Sequence, residues 1–175
     1  LAVPVVGMEP AVKPATLNTR SAVVGVLATT HTLASSKFSK LLAAYGADVE
    51  ILLQPCPGLV EQVEKADLAG PDTLALVERY VAPLLARGAD TLVLGCTHYP
   101  FLVESIRRVA GPGAEIIDPS PAVARELRRR LETAGLLSQQ AGRGKEQFWT
   151  SAMPESVRSV MVQLWTQDID VQRMP

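Results

Sequence analysis

The segment TLVLGCTHYPFL, residues 91–102, decides the predicted fold of this chain. It places one of only two cysteines and one of only two histidines two positions apart, as Cys96 and His98. The apolar run before Gly95 is typical of a buried strand, and Pro100 fits the first turn of a helix. The segment therefore predicts a strand, a tight turn that carries Cys96 and His98, and then a helix.

The alternation of apolar runs with amphipathic segments continues along all 175 residues. Continuous apolar strands that alternate with helices are typical of a parallel sheet covered on both faces. We therefore expect an α/β fold with a parallel sheet and three layers, α/β/α. The predicted strands are residues 22–28, 48–54, 90–95, 114–119 and 146–151, and the predicted helices are residues 32–46, 58–66, 71–87, 99–111, 121–135 and 154–165.

Composition excludes several classes of function. The net charge is -1 and the pI is about 6.2, whereas a nucleic-acid-binding surface is basic and clustered. The densest basic segment, RELRRR at residues 125–130, predicts the solvated face of a helix. Two cysteines make no disulfide framework, and no Cys/His spacing matches a zinc site. No apolar run approaches the roughly 18 residues of a membrane span and no signal peptide is evident, so we expect a cytoplasmic protein.

Polar side chains follow the predicted strands at the edge of the sheet where ligands of α/β proteins bind. Cys96, Thr97 and His98 follow one strand, and Thr29 and Thr32 follow another. The start of the next helix offers free N–H groups that would bind a carboxylate and favour the thiolate form of Cys96. The alternatives are a buried cysteine, a capping histidine and threonines that cap the following helix.

Two further residues are candidates on the segment PCPGLVEQVE, residues 55–64. Cys56 stands between two prolines, which favours a turn residue over a nucleophile. Glu64 is either solvated or the charged acceptor for His98.

Several segments together resemble the glutamate racemase family, within the aspartate/glutamate racemase superfamily. They are, in order, VPVVGMEPAVKPA, GVLATTHTLASSKF, PCPGLVEQVE, LVLGCTHYPFL, IIDPSPAVA and FWTSAMPE. The resemblance implies two α/β domains related by a pseudo-twofold axis, with glutamate bound between them and neither pyridoxal phosphate nor a metal. It also implies that each domain supplies one cysteine as an acid/base group on one face of the substrate α-carbon.

The same resemblance assigns roles to residues of this chain. Cys96 would be the second of the two catalytic cysteines. His98 would assist it and contact the substrate, and Glu64 would be the acidic helper on that side. Thr97, Thr29 and Thr32 would contact the substrate.

The chain departs from the family pattern because the Cys-Asn-Thr, Asp-Ser and Tyr-Gly motifs of the first domain are absent. We therefore expect residues 1–8 to be a link from a missing first domain, residues 9–113 to be the second α/β domain, and residues 114–175 to be a return segment that completes the first. The strands at residues 116–118 and 147–150 would then belong to a sheet whose other members are absent. Such strands would either pair with a second copy, giving a homodimer, or be poorly ordered.

The implied activity is interconversion of L- and D-glutamate, which supplies D-glutamate for peptidoglycan. Because one of the two thiols is absent, we expect the chain alone to be inactive. Three alternatives stay open: a racemase of aspartate or a related amino acid, a cysteine hydrolase, and a non-catalytic fragment that binds a dicarboxylate.

Overall fold

The computed structural model describes residues 3–46, 48–139, 144–165, 167 and 169–175. Its main sheet contains β1 (Val23–Ala28), β2 (Glu50–Pro55), β3 (Thr91–Leu94) and β4 (Glu115–Ile117) in the order β2-β1-β3-β4. Every pairing in this sheet is parallel. All of β3 and most of β1 are buried, as continuous apolar strands covered on both faces must be. The expected parallel α/β fold is confirmed.

Helices precede, connect and follow these strands. They are α1 (Val12–Asn18), α2 (Thr30–Leu33), α3 (Ser36–Tyr45), α4 (Leu59–Glu64), α5 (Pro71–Ala86), a 3₁₀ turn (Tyr99–Leu102), α6 (Val103–Ala110), α7 (Ser120–Thr133) and α8 (Pro154–Trp165). The single helix expected over residues 32–46 is two helices. Thr29 accepts a hydrogen bond from the backbone of Thr32, and Ser35 caps the second helix in the same way.

The two faces of the sheet carry separate cores. Leu27 and Leu92 point to the side of α4, α5 and α6, where they pack with Val81. Val26 and Val93 point to the opposite side, where they pack with residues of α1 and α3. Successive residues of a strand face opposite sides of the sheet, so a strand contributes side chains to both cores. The result is the three-layer arrangement that the sequence predicted.

The C-terminal part forms a second, smaller sheet. Strand β5 (Phe148–Thr150) pairs in parallel with β6 (Val171–Arg173), and α8 connects them. Phe148 and Trp165 pack edge to face with ring centroids 5.6 Å apart. Trp149 is half exposed.

The strand predicted at residues 116–118 is in a different sheet from the one expected. Strand β4 pairs with β3 through Thr91 and Glu115, so it belongs to the main sheet, and its expected place in a separate sheet is wrong. An apolar triplet such as Glu115–Ile117 shows that a strand exists but not which neighbour it pairs with. The division into residues 1–8, 9–113 and 114–175 stays a prediction, with β4 just beyond the boundary yet joined to the sheet of the middle part. A homodimer also stays a prediction.

The basic segment lies on α7, none of whose residues is buried. Arg129 and Arg130 pair with Glu126 at 2.8 and 2.7 Å. These arginines are therefore paired with an acidic side chain of the same helix, as expected for a solvated helix face.

Candidate active site

A cavity of about 400 Å³ opens at the carboxyl ends of β1 and β3. It is lined by Met8, Glu9, Pro10, Thr29, Thr32, Val60, Leu94, Gly95, Cys96, Thr97, His98 and Pro119. The lining thus includes every site residue that the sequence suggested except Glu64, which contacts His98 from outside this cavity. This is the edge of the sheet at which ligands of open α/β folds bind.

The turn after β3 brings Cys96 and His98 into contact. The Cys96 Sγ atom lies 3.8 Å from Nδ1 of His98. Residues two apart on a helix do not face each other. Cys96 and His98 lie before the helix, in the turn that the sequence predicted, where residues two apart can meet. The α-helix itself begins later than predicted, since a 3₁₀ turn occupies Tyr99–Leu102 and α6 begins at Val103.

Glu64 contacts the opposite edge of the same imidazole. Its Oε1 atom lies 2.7 Å from Nε2 of His98. A carboxylate can only accept a hydrogen bond, so Nε2 is the donor in this contact, and in the neutral form of an imidazole the other nitrogen, Nδ1, is then an acceptor that faces the thiol. The Glu64 side chain is 65% exposed and that of His98 31% exposed. The sequence left Glu64 either solvated or the acceptor for His98, and the structure shows that it is both exposed and in contact with the imidazole.

The threonines at the end of β1 are both structural and accessible. The Thr29 and Thr32 hydroxyls lie 2.9 Å apart, and Thr29 also accepts from the Thr32 backbone at 3.2 Å. Both side chains line the cavity. Thr29 therefore caps the following helix, as the alternative interpretation proposed, and both threonines also face the cavity.

Gly95 explains how the turn approaches β1 so closely. Its N–H donates to the carbonyl of Leu27 at 2.7 Å. A Cβ atom at position 95 would lie 2.9 Å from the Cβ of Ala28 and 3.0 Å from the Leu27 oxygen. Only glycine fits this approach, which sets where Cys96 begins the turn.

Cys56 lies in the turn after β2, as predicted, and differs from Cys96 in every relevant respect. It is 2% exposed, and its thiol donates to the carbonyl of Gln54 at 3.2 Å. Burial raises the pKa of the Cys56 thiol to about 12. This cysteine is therefore a neutral, inaccessible thiol at physiological pH.

The sequence did not single out several residues that line the cavity. They include Glu9, the acidic side chain of the lining, and Pro119, which follows β4 in sequence. Both stand in segments that resemble the family, but neither residue type alone indicates a site.

Among the residues that the structure describes, no group of three or more His, Cys, Asp and Glu side chains could hold a metal ion. In the same part of the chain, no helix has the length and apolar character that a membrane crossing requires.

Comparison with known proteins decides the family. Residues 1–127 match the sequence model of the Asp/Glu/hydantoin racemases. The chain belongs to that family. A relative from Pseudomonas putida F1, named glutamate racemase, is 53% identical over 169 residues, which cover 97% of this chain and 63% of the relative. The chain therefore spans less than two thirds of the length of this relative.

Solved structures of glutamate racemases share the fold of this chain. A glutamate racemase isoform from Bacillus anthracis superposes with a TM-score of 0.86 at 28% identity, covering 100% of this chain and 66% of that one. The Escherichia coli glutamate racemase, in complex with L-glutamate and the activator UDP-MurNAc-ala, gives a TM-score of 0.81 at 29% identity, covering 99% of this chain and 65% of that one. Both likenesses extend along essentially the whole chain.

Proposed function

We propose that this chain is the part of a cofactor-independent glutamate racemase that supplies one of two acid/base thiols. The observation that carries the proposal is the line of contacts from Cys96 through His98 to Glu64 at a cavity lined by three threonines. The names of the relative from Pseudomonas putida and of the two solved racemases support glutamate as the substrate. An aspartate racemase is the alternative within the family.

Racemisation needs two acid/base groups because the proton leaves one face of the α-carbon and returns to the other. The Cys96 thiolate takes the α-proton, so that the C–H bond breaks and an S–H bond forms. The electron pair of the broken bond spreads into the neighbouring carboxylate. A thiol on the opposite face then donates its proton to the α-carbon, and the reverse reaction exchanges the two roles.

His98 prepares Cys96 for this step. With its Nε2 proton held by Glu64, Nδ1 can accept the thiol proton and leave a thiolate. Glu64 lies outside the lining of the cavity that holds Cys96, so it acts through His98 as a positioning residue. Thr29, Thr32 and Thr97 offer hydroxyl groups for a carboxylate of the substrate.

The second thiol is not Cys56. That residue is buried, its pKa is raised to about 12 by burial, and its proton is donated to a backbone carbonyl. The chain has no third cysteine. The proposal therefore requires a thiol from outside this sequence, and the chain alone should be inactive. Supply of D-glutamate for peptidoglycan, in the cytoplasm, is part of the same proposal.

The decisive assay follows the circular dichroism of glutamate over time, with this chain and with a protein extended to the length of its relatives. We expect racemisation only from the extended protein. In that protein, Cys96→Ala should abolish turnover and Cys56→Ala should retain it. Full activity of the chain alone, or of the extended Cys96→Ala variant, would refute the two-thiol mechanism.

A cysteine hydrolase is a second candidate because Cys96, His98 and Glu64 are arranged as nucleophile, base and orienting acid. An activated ester such as p-nitrophenyl acetate separates the two functions. A burst of one product equivalent per chain, lost in Cys96→Ala, would favour the hydrolase. Slow labelling without turnover would favour the racemase.

A non-catalytic fragment that binds a dicarboxylate is the third candidate. Titration calorimetry of this chain with D-glutamate, L-glutamate and L-aspartate tests it directly. Tight binding of one of them by the chain alone would favour the binding fragment. Weak or absent binding would be expected if this chain supplies only one side of the substrate-binding cleft.

A further inference from the structure

The helix that carries Glu64 has little stability of its own. Helix α4 contains six residues, Leu59–Glu64, and begins after Gly58 without a side-chain cap. Isolated helices of this length do not form in water. Leu59 and Val63 anchor one face, each 1% exposed, but Glu64 is the last helical residue and faces outward. Something beyond α4 must fix where the helix begins.

Two tyrosine hydroxyl groups bind the turn just before α4. The Tyr80 hydroxyl donates to the carbonyl of Pro57 at 2.7 Å, and the Tyr99 hydroxyl donates to the carbonyl of Cys56 at 3.3 Å. Tyr80 lies on α5 and is 6% exposed, whereas Tyr99 is fully buried. Burial raises the pKa of both phenols, which therefore stay protonated donors. The turn is thus held from two separate elements.

Tyr99 joins the segment that carries His98 to the turn before the helix that carries Glu64. It follows His98 directly in sequence, and its hydroxyl reaches the turn that leads into α4. Helix α4 then returns to the histidine through Glu64. The segment that carries the base and the helix that carries its orienting acid are therefore joined at both ends. Tyr80 fixes the same turn to the long helix α5, which packs in the main core.

We propose that Tyr80 and Tyr99 are positioning residues that hold the turn at residues 56–58, and through α4 the Glu64 carboxylate, against His98. The consequence is a fixed tautomer: Nε2 of His98 keeps its proton and Nδ1 stays free for Cys96. The relevance of that tautomer to catalysis rests on the proposed function, but its measurement does not.

The composition of the chain makes the test direct. The chain contains two histidines and three tyrosines. Long-range ¹H–¹⁵N spectra of the full chain, with ¹⁵N-labelled histidine, report the tautomer of each ring, and His31→Asn assigns the two sets of signals. Tyr80→Phe and Tyr99→Phe each remove one hydroxyl and leave the ring. Tyr45→Phe is the matched control because Tyr45 is 39% exposed and ends α3, which packs on the opposite face of the sheet from α4 and α5.

We expect Glu64→Ala to lower the fraction of the Nε2–H tautomer of His98 toward that of a solvated imidazole. Tyr80→Phe and Tyr99→Phe should each move the ratio part of the way to that value, and Tyr45→Phe should leave it at the wild-type value. Adding either tyrosine change to Glu64→Ala should produce no further shift, since the tyrosines act through Glu64. The rate of Cys96 alkylation at fixed pH should fall in the same order.

A purely structural role predicts something else. If thermal unfolding shows that the tyrosine variants lose stability while the His98 tautomer ratio stays at the wild-type value, the proposal is overturned. It is also overturned if Tyr45→Phe shifts the ratio as much, or if the shifts persist in the Glu64→Ala background. No readout of this test involves racemisation. Its outcome is therefore independent of whether the chain is active, and the proposed function and this proposal can fail separately.

Discussion

The Nε2 atom of His98 lies 2.7 Å from Oε1 of Glu64, although the two residues belong to different connections of the sheet. His98 follows β3, whereas Glu64 ends the helix that follows β2. Because β2 and β3 flank β1, their carboxyl ends open on the same edge and the two connections can meet there. The contact orients the imidazole, so that one ring nitrogen faces the Glu64 carboxylate and the other faces Cys96.

The two cysteines should differ strongly in reactivity. A pKa of about 12 leaves roughly one Cys56 thiol in 10⁵ ionised at pH 7, and the side chain is buried as well. Cys96 lines the cavity and contacts His98. We therefore expect iodoacetamide to modify Cys96 much faster than Cys56, as measured by peptide mass spectrometry over time. Equal rates, or faster modification of Cys56, would contradict the assignment of Cys96 as the thiolate.

Removal of the imidazole should impair turnover more than binding. In the extended protein, we expect His98→Asn to lower kcat by about 10²-fold, the lower end of what a positioned acid/base group contributes. KM should change little if His98 acts on Cys96 and not mainly on the substrate. Steady-state kinetics in both directions measure this. A large rise in KM with unchanged kcat would instead make His98 a binding residue.

The sequence predicted the fold because its strands are continuous apolar runs. A run such as residues 91–94 is buried on both faces, and its length and composition are visible without knowledge of its neighbours. Pairing is a different matter, since it depends on contacts far along the chain. This is why β4 was placed in the wrong sheet, and why the short strand β6 and the helix α1, which contains Pro14, were not predicted.

The site was predictable in part for the same reason. Cys96 and His98 were visible as rare residue types at one strand end. The contact with Glu64 was not derivable from spacing, because it joins two connections; the residues alone left Glu64 either solvated or the acceptor for His98, and the family resemblance favoured the second. The 3.8 Å contact between Cys96 and His98 depends on the conformation of the turn that precedes Tyr99, a detail that Pro100 alone does not determine.

Asp90 should make the fold sensitive to acid. Its carboxylate accepts hydrogen bonds from the Thr19 hydroxyl at 2.6 Å and from the backbone of Arg20 and Ser21 at 2.8 and 2.9 Å. Burial raises the pKa of Asp90, but these hydrogen bonds outweigh it and hold the pKa well below its usual range. A depressed pKa stabilises the fold above the unfolded-state value of about 4, and this contribution is lost as the pH falls further.

Asp90→Asn removes that titration. We expect the variant to be less stable at pH 7 by about 2 kcal/mol, because charge-assisted hydrogen bonds become neutral ones or are lost. The difference from wild type should shrink as the pH falls below about 4. Urea unfolding at a series of pH values measures both effects. A difference that stays constant down to the lowest pH would show that Asp90 is not responsible.

Gly95 should be required for both stability and the placement of Cys96. In Gly95→Ala, the added Cβ would lie 2.9 Å from the Cβ of Ala28 and 3.0 Å from the Leu27 oxygen, and both belong to the rigid strand β1. The end of β3 must then move away from β1, at a cost of about 1–3 kcal/mol.

Gly113→Ala is the matched control for Gly95→Ala, since nothing lies within 4 Å of the Cβ position there. Adding Ala28→Gly to Gly95→Ala removes the closer contact and should restore part of the stability. Thermal unfolding and the alkylation rate of Cys96 should change together across the three variants, and a Gly95→Ala variant as stable as Gly113→Ala would show that β3 accommodates the methyl group without moving.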